Sequence, residues 1–216
     1  MSFNIEVQAG TTARLLVGGK YCDRDIMVTA TGFDGVYVND YVTSLSEYTF
    51  RGCKWLTGLS CAKLEKINLY ACYGTEITFV EAPLLQQLNG FAFMLSKLKS
   101  INAPKLMIVY DSAFHSCQLE KCDFPALTNI GKNSFRNCKN LIVLILRSTT
   151  MATLYNNEVF TSTPIADGTG YIYVPAALVD IYKADSNWSV YANQIRAIED
   201  YPDICGETET NFGGTE

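Results

Sequence analysis

Leu98-Lys-Ser-Ile101-Asn-Ala103-Pro104-Lys-Leu106-Met-Ile-Val109-Tyr-Asp-Ser-Ala113-Phe114-His-Ser-Cys117 is followed, after one residue, by Leu119-Glu-Lys-Cys122-Asp-Phe-Pro125-Ala-Leu127-Thr-Asn-Ile130-Gly-Lys-Asn-Ser134-Phe135-Arg-Asn-Cys138. The two stretches are copies of one another at a period of 21. Working outward, Leu64, Leu85, Leu106 and Leu127 keep that spacing, as do Leu56, Ile77, Leu98 and Leu119, then Leu59, Val80, Ile101 and Cys122, then Ile67, Leu88, Val109 and Ile130. Ala71, Ala92, Ala113 and Ser134 precede Cys72, Phe93, Phe114 and Phe135, while Pro83, Pro104 and Pro125 recur ahead of the Leu64 register. A fixed short period of this kind is the signature of a solenoid, in which no unit can bury its apolar set alone and neighbours must stack.

Each unit opens on a short stretch with alternating apolar residues, ended by a proline that cannot donate to a sheet ladder, which predicts one strand per coil in a parallel sheet along one side. The remaining residues hold apolar groups at uneven spacing, which predicts an irregular or 3₁₀ return. Phe50-x-x-Cys53-x-x-Leu56 and Phe135-x-x-Cys138-x-x-Leu141 carry one extra position, so those coils should be 22 residues long.

The Ala-Phe-x-x-Cys element followed by L-x-x-I-x-x-P resembles the BspA-like leucine-rich repeat family of bacterial surface, secreted and phage or prophage proteins, over residues 44–198. The fold implied is a leucine-rich-repeat solenoid with a small N-terminal β unit and a C-terminal helical cap. It divides the chain into an N-terminal segment (1–35), repeats (36–170), a cap (171–204) and a flexible acidic tail (205–216). Tyr171-Ile-Tyr-Val-Pro175 and the run on to Ala192 resemble the terminal unit of such proteins. The residues alone agree: Pro175 suits a first helical turn, Leu178, Ile181 and Tyr182 share one helix face, and Trp188, Tyr191 and Ile195 extend the apolar set.

Residues 1–35 fall outside the period. They read as strands at Asn4–Gln8 and Asp25–Thr31 around a Val17-Gly18-Gly19-Lys20 turn. Gly18-Gly19-Lys20-Tyr21-Cys22-Asp23-Arg24-Asp25-Ile26 resembles an element of phage and prophage structural proteins, which implies attachment to a particle or formation of a homo-oligomer. A plain cap over Tyr41, Val42 and Leu45 is the other reading.

Charge and composition exclude several functions. The 17 bases face 22 acids, and six acids but no base lie from Glu199 onward, so residues 1–198 are nearly neutral and no basic field points to nucleic acid. The longest aliphatic run, Leu141–Leu146, is far shorter than the ~20 residues of a membrane-spanning helix. The start carries no basic and apolar leader, so synthesis in the cytoplasm is expected, and the family resemblance implies virion or cell-surface association.

No cofactor, metal or catalytic set is expected. The single histidine, His115, sits at a variable repeat position. The eight cysteines are expected as thiols; Cys53, Cys117 and Cys138 read as small buried hydrophobes, and Cys22 and Cys205 as the accessible thiols. The resemblance implies that residues between the core positions of each strand form an outward ladder, in which Phe79, Glu81, Ser100, Asn102, Lys121 and Asp123 are the candidate ligand-binding residues. Two features lie apart from that ladder. Leu141–Leu146 would be apolar on both faces, and Tyr37, Tyr41, Tyr70, Tyr73, Tyr110 and Tyr155 lie mainly off the period. The expected function is a non-enzymatic module binding a protein or glycan in a phage, prophage or surface assembly. An intracellular protein–protein interaction scaffold is the alternative.

Overall fold

The computed structural model describes residues 35–206 and the backbone of Thr12–Ala13. The strands expected at Asn4–Gln8 and Asp25–Thr31, the Gly18–Ile26 element and the acidic tail beyond Gly206 lie outside the described residues.

Two kinds of strand alternate. Three-residue strands β2 (Val36–Val38), β4 (Gly58–Ser60), β6 (Phe79–Glu81) and β8 (Ser100–Asn102) form one parallel four-stranded sheet. β10 (Lys121–Asp123), β12 (Val143–Ile145), β14 (Tyr171–Val174) and β15 (Ile195–Ala197) form a second. Two-residue strands β1 (Thr12–Ala13), β3 (Ser44–Leu45), β5 (Lys66–Ile67), β7 (Gln87–Leu88), β9 (Ile108–Val109), β11 (Asn129–Ile130) and β13 (Thr153–Leu154) form a parallel seven-stranded ladder on another side of the coil. The molecule is a parallel β-solenoid. The repeat pattern predicts one strand in each coil; the second is two residues long, too short for any alternation to be visible.

Pairing confirms the coil lengths. Val36 pairs with Gly58 and Lys121 with Val143, each 22 residues on, whereas Gly58 pairs with Phe79 and Phe79 with Ser100, each 21 on. The coils then lengthen: Asn129 pairs with Thr153 and Val143 with Tyr171.

The turn that closes each coil explains the Ala-Phe element. Tyr48, Tyr70, Phe91, Ser112 and Asn133 all have φ between 55° and 60°, and Gly52, Gly74, Leu95, Ser116, Asn137 and Ser162 form a second column with φ of 60° to 73°. This left-handed backbone costs a non-glycine residue about 1–2 kcal/mol. In return, alternate N–H groups point along the solenoid axis: Phe91, Phe93 and Leu95 donate to the carbonyls of Asp111, Ala113 and His115 on the next coil at 2.8–2.9 Å. Three such bonds per coil tie the stack together. Between them the Cys72, Phe93, Phe114, Phe135, Phe160 register turns inward, and the four phenylalanines stack with neighbouring centroids 5.3–6.0 Å apart.

The far end is closed by α1 (Val179–Ala184), preceded by a 3₁₀ turn at Ala176–Leu178 and followed by another at Ser189–Gln194. Leu178, Tyr182, Trp188, Tyr191 and Ile195 are buried as the spacing predicts, but Ile181 is 51 % exposed. The helix starts as a 3₁₀ turn, so its early residues do not keep the 3.6-residue period and Ile181 rotates off the buried face. The open edge of β13 and its flanks is satisfied by cap side chains. The Tyr182 hydroxyl accepts from Ala152 N at 2.8 Å, Trp188 Nε1 donates to Ala152 O at 2.8 Å, and Asn187 Nδ2 donates to Leu154 O at 3.0 Å.

Candidate functional site

The outward ladder expected from the sequence is divided by the structure. Phe79 faces Ser100 and Glu81 faces Asn102 across β6 and β8. Lys121 and Asp123 lie on β10, which pairs with β12 and belongs to the other four-stranded sheet.

On the first sheet the face is solvated. Glu81, Ser100 and Asn102 are exposed, and Asn102 Nδ2 donates to Glu81 Oε2 at 2.8 Å. Phe79 is half-buried because its ring lies over Gly58, where an added Cβ would stand 2.4 Å from the ring. Gly58 is therefore a seat for Phe79. Val38 extends the strip at the other end, 64 % exposed.

On the second sheet the edge of the face is bonded by the segment of Ile204 and Cys205, while Lys121 stays exposed and Asp123 half-buried. Lys121 Nζ donates to Ile204 O at 2.6 Å, and Arg147 grips Asp123 through Nε at 2.9 and 3.0 Å and Nη2 at 2.7 Å while also donating to Cys205 O. The carboxylate keeps the guanidinium charged, raising its pKa. The bonds hold α2 (Pro202–Cys205) against a small second core of Ile145, Tyr173, Ile198 and Cys205. This accounts for the doubly apolar Leu141–Leu146 run, whose outer face packs on the cap segment. Cys205 itself is buried, with its thiol pKa raised chiefly by burial. Cys205 is thus not the accessible thiol that its place outside the repeat suggested.

Cys117 and Cys138, in the repeats, serve the stack. Cys117 Sγ donates to Phe93 O at 3.1 Å and Cys138 Sγ to Phe114 O at 3.0 Å, while Thr75 and Thr163, in the same register, donate to Cys72 O and Phe160 O. The register asks for a small buried donor, which unites Cys, Thr and the Ser96 of the degenerate copies. Cys53 departs from the thiol expectation, being disulfide-bonded. Burial pushes the Cys61 and Cys117 thiols up to about 12 and raises Cys72, Cys122 and Cys138 strongly as well. Folded pKa values above the unfolded one favour the fold fully below about pH 9, and that contribution is lost as pH rises toward 12, because the unfolded thiols release protons that the folded ones keep. Melting temperature should be nearly flat from pH 7 to 8 and fall steadily above pH 9; a thermal melt series that stays flat through pH 10 would contradict the buried, neutral thiols.

His115 Nδ1 lies 3.0 Å from Ser116 Oγ, but burial and, after it, the neighbouring charge of Arg136 lower its pKa. A nucleophile's base is oriented by a carboxylate, and a cation disfavours the imidazolium such a step requires. Among the described residues no group of three or more His, Cys, Asp or Glu side chains is placed to hold a metal, and no helix is long and apolar enough to cross a membrane.

One aromatic group lies outside the candidate residues of the sequence. Tyr48, Tyr70 and Phe91 stack nearly parallel at 5.4 and 4.7 Å, with Arg51 5.4–5.5 Å from the rings of Tyr48, Tyr70 and Tyr73. Tyr70 is therefore on the period after all: spacings of 22 and 21 from Tyr48 through Tyr70 to Phe91 were the available signal.

Coil length, paired two-strand units, the inward Leu and Phe registers and the aromatic-backed cap define the class: a leucine-rich-repeat solenoid. The model of the BspA type leucine-rich repeat region matches six copies over residues 29–142 and 65–181, and the chain belongs to that family. No curated protein matches it.

Proposed function

We propose that the chain is a non-enzymatic recognition module of a phage, prophage or bacterial surface-associated assembly, docking a host protein or glycan on the open sheet of β2, β4, β6 and β8 and attached through residues 1–35. The observation carrying this reading is the unequal treatment of the two outward faces. The chain's own segment of Ile204 and Cys205 bonds to Lys121 and to Arg147, the partner of Asp123, whereas Val38, Glu81, Ser100 and Asn102 are exposed with no segment from outside the sheet bonded to their side chains among the described residues. A flat, pre-ordered strip of mixed polarity with Phe79 at its centre suits a protein surface better than a single sugar, because it offers area without a concavity. The phage or prophage setting is supported by the Gly18–Ile26 resemblance.

A photoreactive residue installed at Ser100 should give a cross-link to a bacterial surface protein, and one at Met107, on the short-strand ladder, should not. Asn102→Arg should then weaken binding of the captured protein about tenfold, as expected of a charge placed in a docked interface. Equal cross-linking from both sites would refute the assignment of this face.

A further inference from the structure

The short-strand ladder holds a second site with different chemistry. Just past β9, β11 and β13 the chain carries Tyr110, Gly131 and Tyr155 in register: Gly131 N donates to Val109 O and Tyr155 N to Ile130 O at 2.7 and 2.9 Å. The two tyrosines, 43 % and 65 % exposed, thus stand two rungs apart with a bare rung between them. The gap is fixed by the backbone, since a Cβ on Gly131 would lie 2.7 Å from Asp111 N and from the Tyr110 carbonyl carbon. The two tyrosines line a cleft of about 380 Å³, together with Asp111, Asn129 and Thr153.

We propose that this cleft binds one neutral pyranose ring of a glycan, held between Tyr110 and Tyr155. Two rungs of a parallel sheet span about 9.6 Å. A flat aromatic guest in contact with both rings would need only about 7 Å, twice a carbon–carbon contact, and would rattle. A puckered sugar with hydrogens on both faces is thicker than a flat ring and fills more of that span on the same contacts. The polar groups match hydroxyls. Asp111 Oδ1 accepts from Lys132 N at 3.0 Å, and its Oδ2 has no partner among the described residues; Asn129 Oδ1 accepts from Thr128 Oγ1 at 3.0 Å, and its Nδ2 likewise has none. One charged acceptor and one amide donor are thus available for neighbouring hydroxyls, and the carboxylate disfavours an anionic sugar. The site is independent of the docking face on the long strands.

The test is a titration of the full chain with methyl glycosides of glucose, galactose, mannose and N-acetylglucosamine, followed by saturation-transfer NMR, with adenosine as a flat aromatic competitor. At least one glycoside should bind, and Tyr155→Ala and Tyr110→Ala should each weaken it about tenfold while the melting temperature stays near that of the parent. Asp111→Asn should weaken it too, without altering the fold. Failure of all four glycosides, binding that survives Tyr155→Ala, or tighter binding of adenosine than of any glycoside would overturn the proposal. Asn102→Arg should leave glycoside binding unchanged, which separates failure here from failure of the protein-docking face.

Discussion

Phe114→Ala should lower the melting temperature by about 6–20 °C, the largest effect of any single core truncation in the repeats. Phe114 is fully buried and stacks on Phe93, Phe135 and Phe124 with centroids 6.0, 5.3 and 6.2 Å away. Removing such a ring costs about 3–5 kcal/mol in transfer and cavity terms. For a chain of this length each kcal/mol moves the midpoint by about 2–4 °C. The neighbouring rings cannot collapse into the void, because their backbones are pinned by the axial bonds from Phe93 N to Ala113 O and from Phe114 N to Ser134 O. A solenoid's cooperativity passes through each interface in turn, so the same change should weaken the coupling between the coils before and after it. The urea transition should therefore broaden as well as shift. Phe79→Ala, which removes a half-buried ring lying over Gly58, should move the midpoint much less. Differential scanning calorimetry of the two variants decides between a continuous aromatic spine and a set of independent coils.

The repeat was legible because its registers share one environment. Leu64, Leu85, Leu106 and Leu127 are all fully buried, and a position repeated every coil leaves the same mark each time. The 22-residue coils could be located for the same reason. The left-handed turn columns were not legible, since φ above zero is announced by glycine and here Tyr48, Tyr70, Phe91 and Leu95 adopt it. Their conformation follows from the axial hydrogen bonds, a property of the stack and not of any one residue. The outward face was half legible. Glu81 and Asn102, placed outward by the family resemblance, are exposed, but the bonds that tie Lys121 and Arg147 to Ile204 and Cys205 join residues up to about eighty positions apart, the latter in a segment whose composition resembles a loose tail. Arg147 is the residue that turns that segment into part of the fold. The Tyr110–Tyr155 cleft was hidden for a related reason: the coil from Asn129 to Thr153 is longer than 21 residues, so Tyr155 falls out of period in sequence while staying in register in space.

Trp188→Ala is expected to be at least as damaging, and to fail from one end. Trp188 is fully buried, meets Tyr182 edge-on at 5.0 Å and Phe160 at 6.0 Å, and gives its Nε1 hydrogen to Ala152 O. Truncation removes the ring that caps the phenylalanine spine, at about 3–5 kcal/mol, and leaves the Ala152 carbonyl short of a partner, at about 1–3 kcal/mol more if water cannot reach it. Trp188→Phe keeps most of the ring but not the donor, so the difference between the two variants isolates the packing term. Because each coil contacts only its neighbours, the loss should appear first in the last coil. Native-state hydrogen exchange should find Thr153 N and Tyr155 N, which bond to Thr128 O and Ile130 O, losing protection in Trp188→Ala, while Phe93 N and Leu95 N in the middle coils keep theirs. Uniform loss along the chain would instead mean that the solenoid unfolds as a single unit and that its cap stabilises every coil alike. The same exchange profile bears on the cleft, since Tyr155 is the outer wall of the sugar site and follows directly on β13: a frayed cap should cost glycoside affinity even though Trp188 lies outside the cleft.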